Sequence, residues 1–423
     1  MRFNTLIRCR KICVIVFILS GGLLPLVGYA NTDTPLTLKG AIAQTLAQNP
    51  QLYQYTFVNE ALKARKQTGS LRPALELEIE MENFAGSGSF KGLDSPEATL
   101  SLSSVIEMGG KRKARTSLMD ARINKSEWEL QAITLDVLGE LTAIYVDSLA
   151  TQANIQLAEE SLALTQSLLQ TVRSRSKKGA TPEAEVLRAQ ASVARAEIRL
   201  AALVERLERQ KVQLAQFWGD TTPAFSSLSG SLFEFGPSQG FEQLYSRVKT
   251  SPAIQVFASE ARIKDAEVTL ARAGGHSDLI WRAGIRRFEE TGDSAFTAGL
   301  SIPLFSKKRN RSEVKAALAN RNAVDYAKQD LLLRLHARLF DAYSLRRQSI
   351  SAVNKTENEV IPALENALKL TRKAYENGRY RYLDLIAAQE ELLATKQTRI
   401  DAASMALISQ ALIEKLSSEA LNQ

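Results

Sequence analysis

Two tight turns set 199 residues apart constrain this chain more than any other feature. Lys178-Gly179-Ala180, followed by Glu185-Val186-Leu187-Arg188-Ala189-Gln190, aligns with Asn377-Gly378-Arg379, followed by Asp384-Leu385-Ile386-Ala387-Ala388-Gln389, at that constant offset. Asn49-Pro50 pairs with Ser251-Pro252 at 202, and Thr99-Leu100-Ser101-Leu102 with Thr297-Ala298-Gly299-Leu300 at 198. Small insertions account for the drift. A long-period repeat means that one set of elements is built twice, so each half is read against the other.

Each half reads as helix, strand, loop, strand, long helix, tight turn, long helix. The strands are predicted at Leu75–Phe84 and Glu97–Ile106, then at Leu279–Phe288 and Ala295–Leu304. Ten residues suit a tilted strand crossing a bilayer. Leu75, Leu77, Ile79 and Met81 alternate with Glu76, Glu78, Glu80 and Glu82; Leu279, Trp281, Ala283 and Ile285 alternate with Arg282, Gly284 and Arg286. Phe296, Ala298, Leu300, Ile302 and Leu304 alternate with Thr297, Gly299 and Ser301. Apolar-out and polar-in is the pattern of a barrel wall around a wet lumen, and a half-buried soluble sheet has the same period. On the barrel reading Glu76, Glu78, Glu80, Arg282 and Arg286 line the lumen, where the acidic and basic strands partly neutralise each other.

The intervening helices are long. Residues 112–177 contain no proline and a single glycine, Gly139, and span roughly 100 Å at 1.5 Å per residue. Across 183–217, Val186, Val193, Leu200, Leu207 and Leu214 recur every seven residues, with Ala189, Ala196, Leu203, Gln210 and Phe217 three later. That spacing predicts left-handed supercoiled packing. Pro362 is predicted to kink or divide the helix of 308–376 at Ile361. Gly179 and Gly378 stop helices, and the chain reverses there, so each half ends in an antiparallel hairpin. Four strands cannot close a barrel alone; three chains would supply twelve.

The first thirty residues read as a processing signal. Arg2, Arg8, Arg10 and Lys11 precede an apolar run from Ile12, and Gly28-Tyr29-Ala30 is a small-x-small cleavage site. Cys9 and Cys13, the two cysteines, leave with it, which removes disulfide and thiolate chemistry, and neither sits in a lipidation context. Of 54 Lys and Arg, four lie in this segment, leaving 50 against 46 acidic residues. That balance gives no case for nucleic acid. The predicted organisation is 1–30 signal, 31–218 first repeat, 219–250 linker or equatorial segment, 251–423 second repeat, with later helices at 308–376 and 382–418.

These features together resemble the outer membrane factors of the TolC type, over essentially the whole length after the signal. The resemblance rests on the duplicated order of elements, the Asn49-Pro50 and Ser251-Pro252 helix starts and the two hairpin turns. Val105-Ile106-Glu107-Met108-Gly109-Gly110-Lys111-Arg112 is similar to the strand-to-helix junction of the CzcC-like, heavy-metal efflux branch. The resemblance implies a mainly α fold with a small β part, a homotrimer with a twelve-stranded barrel, and a helical tunnel through the periplasm. It implies a duct in the outer membrane, in contact with its lipid and docked on a periplasmic adaptor and an inner-membrane RND-type pump. Gly179, Gly378, Arg379, Tyr380 and Tyr382 then match the tips that the adaptor engages. Asp384 and Glu185 sit just inside, either facing the entrance or serving as helix-start acids favoured by the macrodipole. One departure is the ending in Asn422-Gln423 rather than in an aromatic strand.

Other chemistry is not encoded. His276 and His336 are the only histidines and lie in different elements, with no metal-ligand spacing. Gly109-Gly110-Lys111-Arg112 lacks the spacing of a phosphate loop, and Gly86-Ser87-Gly88-Ser89 is not a nucleophile elbow. No enzyme activity, metal site or cofactor is expected. The competing readings are a type I secretion or drug-efflux duct of the same fold, and a periplasmic adaptor or structural coiled coil.

Overall fold

The structure is a computed structural model and describes residues 35–92 and 96–419; the processing signal read at 1–30 lies outside them. Chain order is β1 (Leu36–Thr37), α1 (Leu38–Gln48), α2 (Pro50–Ser70), β2 (Glu76–Glu82), β3 (Glu97–Ile106), α3 (Lys111–Lys177) and α4 (Glu183–Ala215). There follow β4 (Leu228–Ser229), α5 (Phe241–Val248), α6 (Pro252–Gly274), β5 (Leu279–Phe288) and β6 (Ser294–Ser301). The chain then runs through α7 (Ser306–Arg309), α8 (Arg311–Lys355), α9 (Ile361–Glu376) and α10 (Tyr382–Ser417). Among the described residues no helix is long and apolar enough to cross a membrane.

Local chemistry sets the boundaries. Asn49 caps α2 by accepting from the Gln51 and Leu52 amides, with Pro50 in the first turn, where its missing N–H costs nothing. β2 is shorter than the ten residues expected, because Asn83 turns into the left-handed region at φ 59 and ends the ladder. β6 stops at Ser301, before Pro303, which has no N–H to donate. Before Pro362 a wide π-helical turn, Thr356–Val360, absorbs the lost hydrogen bond, and α9 restarts at Ile361.

The sheet order is β2-β3-β5-β6, antiparallel throughout, so the middle ladder joins the two repeats. At Gly284 a Cβ would lie 2.6 Å from the Leu100 carbonyl oxygen, so only glycine fits against β3. The helices form one elongated body: α3 packs on α4, α6, α10 and α2, and α8 packs on α10 and α6. Its cores are a middle cluster around Leu141, Tyr145, Leu214 and Ala403, a tip cluster around Val172, Tyr375 and Leu385, and a third around Val248, Leu339 and Ile413.

The middle cluster carries a clasp. β1 and β4 form a two-residue parallel pair, and the buried Tyr145 hydroxyl lies 2.7 Å from the Leu36 carbonyl oxygen and 2.6 Å from that of Ser229. Burial pushes the phenol up to about 12, so it stays a donor. Buried Arg346 donates to the Gly236 carbonyl at 2.6 Å and fixes the loop after β4.

Candidate duct: the sheet face and the hairpin tips

The sheet separates its residues by face, with Arg287 at the far end of β5 and Ile280 at its start among the exceptions. On one face Leu77, Ile79, Leu100, Leu102, Ile285 and Phe296 are exposed. On the other, Glu76, Glu78, Glu80 and Glu82 run beside Thr99, Ser101 and Ser103, with Arg282 and Arg286 across the middle ladder. Arg286 bridges Glu82 and Glu97 at 3.0 Å each and donates to Thr99 at 2.9 Å. Arg282 pairs with Glu78 at 3.1 Å. The expected neutralisation therefore reaches Glu78, whereas Glu76 and Glu80 have no ion pair among the described residues. Five carboxylates, Glu97 included, face two guanidinium groups, a surplus of three negative charges per chain.

The hairpin tips lie at the other end of the long helices. Gly179 and Gly378 sit at φ 72 and φ 74, a conformation that costs an L side chain roughly 1–2 kcal/mol. The Ala180 amide donates to the Arg175 carbonyl at 2.9 Å and the Arg379 amide to the Ala374 carbonyl at 2.8 Å, closing both helix ends. Arg175 ties one tip to the other: its guanidinium donates to the Glu376 carbonyl at 2.8 Å and stacks over the Tyr375 ring, 4.8 Å from its centroid.

Arg379 and Tyr380 are exposed at the second tip, Tyr380 by 51%, but Tyr382 is not. Only 3% of Tyr382 is accessible, because the first turn of α10 points it inward with Leu385, Gln389 and Leu392. It supports the turn and presents nothing to a partner, which corrects its place among the docking residues. Burial raises both the Tyr375 and Tyr382 hydroxyls above the usual phenol range; Tyr375 lies beside Thr181 and Glu185. Asp384 is the third residue of α10. It accepts from the Arg381 amide at 2.9 Å, and that bond holds its carboxyl below the ordinary range. Glu185 holds the same position in α4. Arg175 and Tyr375 were not singled out in the sequence, since their partnership joins residues 200 positions apart. Among the described residues no group of three or more His, Cys, Asp or Glu has a metal-holding arrangement.

A sheet with one apolar exposed face, continuous with helices of this length and built in duplicate, is matched by one family model. The model of the outer membrane efflux protein family covers residues 41–220 and 245–418. This chain belongs to that family. It is 24% identical over 365 residues to the cobalt-zinc-cadmium resistance protein CzcC of Cupriavidus metallidurans, covering 86% of this chain and 85% of that protein. The nickel-cobalt-cadmium resistance protein NccC of Alcaligenes xylosoxydans xylosoxydans is 29% identical over 274 residues, 64% of this chain and 60% of that one. A crystal structure of CusC superposes with TM-score 0.75 at 17% identity, over 90% of this chain and 91% of that one. The fold is TolC-like, and this family member is an outer membrane protein whose helices reach into the periplasm.

Proposed function

We propose that three copies of this outer membrane efflux protein close a twelve-stranded barrel and continue as a helical tunnel. The tunnel serves as the passive exit duct of a tripartite pump and catalyses nothing. The observation that carries this reading is the open sheet: β2 and β6 each leave an unpaired edge beside an exposed apolar face. In a bilayer every backbone polar group must be paired, and only closure achieves that. Each β2 edge would then meet a neighbouring copy's β6, placing the glutamates and arginines on the lumen wall.

The exposed tip residues Gly179, Gly378, Arg379 and Tyr380 would meet the periplasmic adaptor, and an inner-membrane RND-type pump would deliver the cargo through it. Asp384 and Glu185, one turn inside, would border the entrance. The cargo we favour is divalent heavy-metal cations, supported by the likeness to CzcC and NccC and by the surplus of lumen carboxylates. A duct needs no tight cargo site, only a field that does not repel what passes.

Deleting the gene tests cargo and fractionation tests the assembly. Sensitivity to cobalt, zinc or cadmium should rise while that to organic drugs stays level. The protein should sediment with the outer membrane as a heat-dissociable trimer. A soluble periplasmic monomer would overturn the duct, and a purely drug-sensitive phenotype would overturn the cargo.

A further inference from the structure

One end of the sheet faces the helices, with β2 and β5 starting there and β3 and β6 ending there, and both repeats place a basic cluster at it. Arg112 and Lys113 follow β3, and Lys307, Lys308, Arg309 and Arg311 follow β6; all six are exposed and have no ion pair among the described residues. Nearby acids are largely taken: Asp278 by Lys111 at 2.7 Å and Glu107 by Arg115, with Glu313 the exposed exception. At the opposite end of the sheet the β5–β6 turn carries Glu289, Glu290 and Asp293, of which Glu289 pairs with Arg287 at 3.2 Å.

Apolar side chains adjoin these cations. Ile106 and Met108 lie beside the first cluster, Ile302 and Leu304 beside the second, all exposed. Phe305 is held in the left-handed region at φ 61, a strained setting for a bulky residue, with 77% of its surface accessible immediately before Ser306-Lys307-Lys308. A groove of about 530 Å³ runs between Arg72, Pro73, Ile106, Lys111, Arg112 and Lys113. An apolar band that passes directly into unpaired cations is the profile of a surface meeting anionic lipid.

We propose that this collar binds the phosphates of anionic phospholipids in the periplasmic leaflet, so that the duct gathers such lipids around its waist. The inference rests on the barrel lying in the membrane, and its occupant follows from two features: charge complementarity, and continuity with the apolar face of the sheet. The appearance of one cluster in each repeat makes it a ring of six clusters in a trimer.

Trp281 is the third residue of β5 on the apolar face, next to the collar, while Trp128 and Trp218 lie in the helical body. The full chain, reconstituted in phosphatidylcholine, is titrated with brominated phosphatidylglycerol or brominated phosphatidylcholine, and quenching is read. Phosphatidylglycerol should associate about fivefold more strongly, the order expected for one fully engaged cation. The preference should collapse when salt rises from about 0.05 to 0.5 M. It should vanish in R112Q/K113Q/K307Q/K308Q and persist in K177Q/K178Q, which removes charge at the far end of α3. Equal quenching by both lipids, or an unchanged preference in the quadruple variant, overturns the collar and leaves the duct standing. Loss of the preference on adding inorganic phosphate at constant ionic strength assigns the site to free phosphate and overturns it too. No quenching by either lipid overturns the membrane reading and the collar with it.

Discussion

Glu76→Gln with Glu80→Gln is the most informative perturbation of the proposed lumen, because these two carboxylates face it without a guanidinium partner. The double change cuts the surplus from three negative charges to one per chain. Twelve strands spaced about 4.8 Å apart and tilted about 40° give a backbone radius of roughly 12 Å. Glutamate side chains reaching inward then hold their carboxylates about 7 Å from the axis. At 0.1 M salt that lies within the roughly 10 Å screening length, and a single charge acts on an axial cation by about 0.3 kcal/mol in water-like dielectric. Glu76 and Glu80 are roughly 13 Å apart along the strand, so each forms its own ring of three in a trimer. Each ring is worth about 0.9 kcal/mol, or a four- to fivefold enrichment of monovalent cation. Reversal potentials of single channels in a tenfold potassium chloride gradient should show cation preference falling severalfold in the double variant. In about 1 M salt, where screening acts within roughly 3 Å, the two proteins should differ by less than twofold. Identical reversal potentials at low salt would mean that β2 does not face the pore.

Arg175→Ala removes a charge-assisted bond and a ring contact between the tips, about 2 kcal/mol in all, and should raise the open fraction of reconstituted channels; unchanged conductance would exclude the tie. Tyr145→Phe leaves two carbonyls of the clasp without their donor and should cost about 1–3 kcal/mol, with faster amide exchange confined to β1 and β4. Burial, opposed by the Gln410 bond and Arg346, raises the Glu414 carboxyl above its ordinary value. The native state therefore holds more protons than the unfolded chain, and stability falls as pH climbs from that ordinary value through the raised one. Glu414→Gln should gain on the wild type in thermal midpoint as pH rises above the ordinary carboxylate range, and a gap that does not move with pH would refute this.

Periodic features are readable in the sequence alone. Alternation placed the residues of β2, β5 and β6 on their observed faces, and Pro362 marked the break ahead of α9. Where backbone conformation decides, alternation overreaches: the ten-residue strand runs on to Phe84, but Asn83, a residue type that tolerates positive φ, turns there and shortens β2. Tyr382 was misread for a different reason. Closeness to the Gly378 turn suggested the surface, but its spacing to Leu385, Gln389 and Leu392 already put it on the inner seam. The Tyr145 clasp and the Arg346 contact stayed hidden because they join residues more than 80 positions apart without periodicity.

The ladder between β3 and β5 has an evolutionary meaning. It is the same kind of seam, inside one polypeptide, that β6 and a neighbour's β2 would form between polypeptides. A single-repeat ancestor would need six identical hairpins, each with the same charges on its inner strands. Fusing two copies halves the number of bodies that must meet and frees the hairpins to diverge. Only after that step can one become Glu-rich and the other Arg-rich, so that Arg286 reaches across to Glu82 and Glu97.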